Sequence, residues 1–81
     1  MDISDRIQRF IREEVMLDEH ARIDTDSPLL DGVLDSLALM QLVAFLEEEF
    51  DTEIDDTEVT AENFKTVADI ERLMSDRMAR A

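Results

Sequence analysis

The chain has no cysteine, tryptophan or tyrosine, one glycine (Gly32), one proline (Pro28) and one histidine (His20). Without cysteine there is no disulfide framework, no thiolate zinc site and no thiol nucleophile. A fold without such staples suits the cytoplasm, as does an amino terminus, Met1-Asp2-Ile3-Ser4-Asp5, that lacks the basic and apolar regions of a secretion signal. The longest apolar segment, Leu37 to Leu46, falls well short of the ~18 residues a membrane span requires. Basic charge is scarce too: 8 Lys and Arg face 22 Asp and Glu, for a net charge of −14. Phosphate backbones and anionic membranes need clustered cations, so neither is an expected partner. Such a field keeps a small protein soluble and steers it toward basic surfaces.

What remains is one domain, residues 1–81, with a core that buries roughly 60% of the unfolded surface. Its periodicity predicts an all-α fold, a small four-helix bundle of three main helices and one short one, with a long loop between the first and second. Ile3, Ile7, Phe10, Ile11 and Val15 make the apolar stripe of the first helix. Asp2–Arg6, Asp5–Arg9 and Arg9–Glu13 are spaced to pair along it, so its arginines read as a solvated face. From Leu17 to Asp35 periodicity is lost and turn formers collect, with Ile23, Leu29, Leu30 and Leu34 left to pin the loop. The second helix is expected from Ser36 to about Asp51, with Ser36 as its N-cap. Thr57 to Phe64 reads as a short helical or 3₁₀ turn anchored by Val59 and Phe64. Thr66-Val67-Ala68-Asp69 is a capping-box-like start for a last helix with Val67, Ile70, Leu73 and Met74 inward and Arg77 and Arg80 at its negative pole.

The second helix is unusual in having two apolar rows. Leu39, Leu42, Val43, Leu46 and Phe50 suit the core, while Leu37, Met40 and Ala44 form a second row beside Gln41, Glu47 and Glu48. One stripe suffices for a surface helix, so the second is either covered by a short neighbour or held out for a partner.

The inventory leaves little room for catalysis. His20 is the only triad candidate and Ser36 has no Gly-x-Ser-x-Gly elbow. Asp24-x-Asp26 fails as a calcium loop because Pro28 and Leu29 stand where a ligand and the turn glycine belong. Ser36, in Leu34-Asp35-Ser36-Leu37, is left with two readings, helix cap or covalent attachment point.

Asp35-Ser36-Leu37 after Leu30-Asp31-Gly32-Val33-Leu34, followed by a helix ending Glu47-Glu48-Glu49-Phe50-Asp51-Thr52-Glu53-Ile54, resembles the acyl carrier protein family along the whole chain. The resemblance implies that Ser36, flanked by Asp35 and Leu37, receives 4′-phosphopantetheine from coenzyme A, and that the chain is a phosphoprotein carrier and not an enzyme. A helix N-terminus favours such an anion. The thioester chemistry would belong to the cofactor, with the protein supplying position and recognition.

The acidic exit is similar to that of fatty-acid carriers. Those carriers usually have acids early in the recognition helix, where Ala38 and Gln41 stand here, and the stretch Glu58-Val59-Thr60-Ala61-Glu62-Asn63-Phe64 resembles freestanding carriers of polyketide, nonribosomal-peptide and aminoacyl pathways. The expectation is therefore a monomeric carrier of an acyl or aminoacyl group in a specialised pathway. The implied partners are a phosphopantetheinyl transferase, a loading ligase or acyltransferase, and a downstream biosynthetic enzyme. Docking is expected through Leu37, Met40, Gln41 and Ala44, with Glu47, Glu48 and Asp51 for steering. The alternatives are a general fatty-acid carrier and an unmodified acidic adaptor.

Overall fold

The computed structural model describes residues 3–18 and 20–80, with side chains through Met78. Helix α1 spans Ile3–Phe10 and continues through a π-helical turn over Ile11–Val15; α2 spans Ser36–Glu49 and α3 spans Val67–Arg80. The short element is a single 3₁₀ turn, Asp56–Glu58, and no strand occurs among the described residues. The four-element, all-helical expectation holds, with the fourth element reduced to this turn. It stays short because its own side chains close it. Asp55 accepts from Thr57 N while Glu58 Oε1 accepts from Asp55 N, and Asn63 Nδ2 then donates to Glu58 O.

Each helix contributes one face to a common core. Ile7 and Ile11 come from the first element, Leu42, Val43 and Leu46 from α2, and Val67, Ile70 and Met74 from α3. Phe64 and Ile54 close it from the second connection. Leu39 and Phe50, expected in the core, are only half-buried, and Ala38 takes an inward position.

The long loop is pinned as its leucines suggest. Ile23, Leu29 and Leu34 are buried, and Leu30 packs against them in part. A fully buried leucine is worth about 1.5–3 kcal/mol, so these anchors hold a segment with no regular structure of its own. Two backbone bonds stitch it to the start of α3, Leu29 N to Lys65 O at 2.8 Å and Ala68 N to Thr25 O at 2.9 Å.

Both of the first two helical segments end on a residue in the left-handed conformation, Leu17 (φ 55°) and Asp51 (φ 50°). At α2 this gives a Schellman closure, Thr52 N to Glu47 O at 3.1 Å. After α1 the same closure is widened by one residue, Asp18 N to Arg12 O at 2.8 Å, following the π-type bond from Met16 N to Ile11 O. Of the pairs expected on α1, Arg9–Glu13 forms at 2.7 Å, and Asp2 lies outside the described residues. Arg6 bridges to Glu49 of α2 at 3.4 Å and lies over the Phe50 ring at 5.6 Å. Arg77 does not serve only the pole of α3: it pairs with Glu58 and ties the 3₁₀ turn to that helix. The side chain of Arg80 lies outside the described ones.

Candidate functional site

The loop delivers the chain to α2 through a turn at Gly32, whose φ of 105° is open to glycine and strained for other residues. Leu34 N bonds back to Leu29 O at 2.7 Å, and the Leu34 side chain is buried. The next residue, Asp35, is therefore held in position at the helix entrance. Its backbone is extended (φ −89°, ψ −175°) and its carboxylate accepts from Ala38 N at 2.8 Å.

Asp35, not Ser36, is thus the N-cap of α2, and Ser36 is the first helical residue. This corrects the expectation of a serine cap. Asp and Ser are nearly equal as caps, and the extended backbone at Asp35 is what puts its carboxylate within reach of the amide three residues on. The correction has a chemical consequence. Ser36 Oγ is exposed, and among the described residues it makes no hydrogen bond. The backbone amides of Ser36 and Leu37 are likewise unclaimed among those residues. A free hydroxyl and two free N–H groups meet at the positive end of a 14-residue helix, a place suited to an anion.

The sequence has four serines, and the other three lack this combination. Ser4 is buried, and Ser27 Oγ accepts from Asp24 N at 3.1 Å. Ser75 is exposed but lies past the middle of α3, where backbone amides are spent on the helix itself.

The second apolar row of α2 is held out. Leu37 is 68% exposed and Met40 59%, and Gln41, Ala44 and Glu48 continue the same face in solvent. Glu47 and Asp51 stand apart from them. Glu47 is half-buried and its Oε2 accepts from Ile54 N at 2.8 Å, while Asp51 supplies the left-handed residue that ends α2. Both have local work in shaping the exit of the helix.

One feature escaped the sequence pattern. Phe10 and Phe45 stack across α1 and α2 with ring centroids 4.3 Å apart and planes at 19°. Each lies at the margin of its own helical stripe, and spacing within one helix carries no information about partners on another. Ala38 was missed for a related reason: a small residue gives no strong signal of burial.

Comparisons with known proteins bear on this entrance. The model of a family described as "Phosphopantetheine attachment site" matches residues 5–74. A solved structure described as the crystal structure of an FAD-dependent dehydrogenase is similar to this chain at 31% identity and a TM-score of 0.73, over 83% of this chain and 96% of that one.

Proposed function

This chain belongs to the phosphopantetheine attachment-site family, whose prosthetic group is covalently bound 4′-phosphopantetheine, and from that premise we propose that Ser36 is the attachment residue of a non-catalytic carrier serving a specialised biosynthetic pathway. The observation that carries the proposal is the exposed, unbonded Ser36 Oγ at the first position of α2.

The residues present fit the group. Ser36 Oγ is accessible to a transferase, and the amides of Ser36 and Leu37 are free to donate to a phosphodiester oxygen. Asp35 keeps those amides free because its own carboxylate is engaged three residues on, with Ala38 N. Once bound, the prosthetic group supplies a thiol that holds an acyl or aminoacyl group as a thioester. Ser36 would act as the hydroxyl acceptor: its Oγ would bond to phosphorus as the pyrophosphate P–O bond of coenzyme A breaks, the serine proton leaving with the departing nucleotide phosphate.

The specialised-pathway reading rests on the exposed face of α2. Ala38 is 9% exposed and faces the core, so of the two early positions that lack an acid, Gln41 is the one a partner meets. Around it the surface is Leu37, Met40 and Ala44, which favours docking by apolar shape, with Glu48 at the far end for register. A phosphopantetheinyl transferase, a loading ligase or acyltransferase and one downstream enzyme are the partners this reading requires. The acidic exit from Glu47 to Ile54 supports a second reading, a general fatty-acid carrier. Malonyl transfer by a fatty-acid malonyltransferase, at the rate of the host's housekeeping carrier, would favour it.

The test is intact mass after incubation with coenzyme A and a phosphopantetheinyl transferase. The native chain is expected to gain one phosphopantetheinyl group and Ser36→Ala none. No gain on the native chain, or equal gain on both, overturns the assignment.

A further inference from the structure

A trough runs between the first helical segment and α2, away from the Ser36 entrance. Three adjoining depressions compose it, sharing Glu14 and, in two of the three, the stacked pair Phe10 and Phe45. The half-buried rings form its floor, and Ala44 and Gln41 line the α2 side. At the far end Leu17 is 79% exposed and holds a left-handed backbone that costs a leucine free energy.

The charges on the rim are unequal. Both cations that line the trough are already paired within the chain, Arg9 with Glu13 at 2.7 Å and Arg6 with Glu49 at 3.4 Å. Glu14 and Glu48 have no ion pair or hydrogen bond among the described residues. An apolar floor between two unpaired carboxylates is complementary to one kind of ligand, a bulky apolar side chain flanked by cations. A second copy of this chain would bring its own charge of −14 against the same field, and nucleic acid is excluded by the same sign.

We propose that this trough docks a partner-protein segment in which one Phe, Leu or Met side chain is flanked by Lys or Arg. The apolar side chain would rest on the Phe10–Phe45 stack and the cations would pair with Glu14 and Glu48. Ala44 lies eight residues beyond Ser36, about 12 Å along the helix axis. A segment seated there grips the carrier beside the tether and leaves Ser36 open. The trough shares Gln41, Ala44 and Glu48 with the docking face proposed above and is set apart from it by Phe10, Glu14 and Phe45, and the proposal does not depend on which residue is modified.

The test is an NMR titration of the isotope-labelled full chain with a synthetic helix-forming peptide bearing one Phe between lysines. Its Phe→Ala and Lys→Glu versions are the controls. Shift changes are expected to centre on Phe10, Glu14, Gln41, Ala44 and Phe45. The Phe→Ala peptide should bind about tenfold more weakly, as should Glu14→Lys/Glu48→Lys, which reverses two exposed acids. Ser36→Ala should bind the peptide as the native chain does. Reversal of two exposed acids elsewhere, Glu62→Lys/Asp76→Lys, should change affinity by less than about twofold. The proposal is overturned if no peptide binds, if the two double reversals weaken binding equally, or if the shifts centre on Leu37 and Met40.

Discussion

Helices α2 and α3 each run for 14 residues, yet their first turns are satisfied by different partners. At α3 the entrance is sealed. Thr66 Oγ1 accepts from Asp69 N at 3.1 Å and donates to Asp69 Oδ2 at 2.9 Å, and the loop carbonyl of Thr25 takes Ala68 N. At α2, among the described residues, Asp35 on Ala38 N is the only side-chain cap, and the two preceding amides and the Ser36 hydroxyl stay open. One helix start has been spent on holding the loop; the other is left open. The faces differ in the same way. α3 turns Val67, Ile70 and Met74 inward and is otherwise polar over much of its length, whereas α2 buries Leu42, Val43 and Leu46 while holding Leu37 and Met40 out.

The largest expected effect separates the two entrances by chemistry. Ser36→Ala should lose all incorporation of the prosthetic group and unfold within a few degrees of the native chain, because the hydroxyl bonds to nothing among the described residues. Thr66→Ala, which removes the cap hydroxyl of α3, should be modified normally. A Ser36→Ala variant that fails to fold would give the hydroxyl a structural role and erase the contrast.

Next come the two faces of α2. Leu42→Ala should cost about 2–5 kcal/mol in chemical denaturation, since the side chain is fully buried. Met40→Ala should stay within about 0.5 kcal/mol of the native chain. Replacing Met40 with Glu should slow loading by the cognate ligase or acyltransferase far more than it lowers stability. Equal losses in loading and stability would make Met40 part of the core.

A smaller effect compares the caps. Asp35→Ala and Thr66→Ala should each cost about 1 kcal/mol of stability. Of the pair, Asp35→Ala should also slow modification, because the Ala38 amide it leaves open would loosen the turn that positions Ser36. The same modification rate in both variants would show that the cap does not position the acceptor. The smallest effect is global. A net charge of −14 on so small a chain is self-repelling, so added magnesium or sodium chloride should raise the melting temperature by a few degrees. A flat response would mean that the acids are well paired or well separated.

Much of this was readable from residue spacing. The stripes Ile7–Ile11, Leu42–Val43–Leu46 and Val67–Ile70–Met74 repeat at helical intervals, and periodicity reports a face directly. The anchors Leu29 and Leu34 were visible as leucines stranded among turn formers. The surplus row on α2 was visible too, although spacing left open whether a neighbour covered it; exposure of Leu37 and Met40 settles that. What spacing could not supply was the choice between adjacent caps and the pairing of side chains across elements. Asp35 and Ser36 are equivalent by preference, and the loop backbone decides between them. The Phe10–Phe45 stack and the bonds from Arg6 to Glu49 and Arg77 to Glu58 join residues far apart in the chain, so they arise only when the helices pack.

The most direct check of the open α2 entrance is to locate the attached group. The native chain, treated with coenzyme A and a transferase, would be cleaved into peptides that separate Ser27, Ser36 and Ser75 and sequenced by tandem mass spectrometry. The account predicts phosphopantetheine on Ser36 alone. Its presence on Ser27 or Ser75, or division among several hydroxyls, would contradict it.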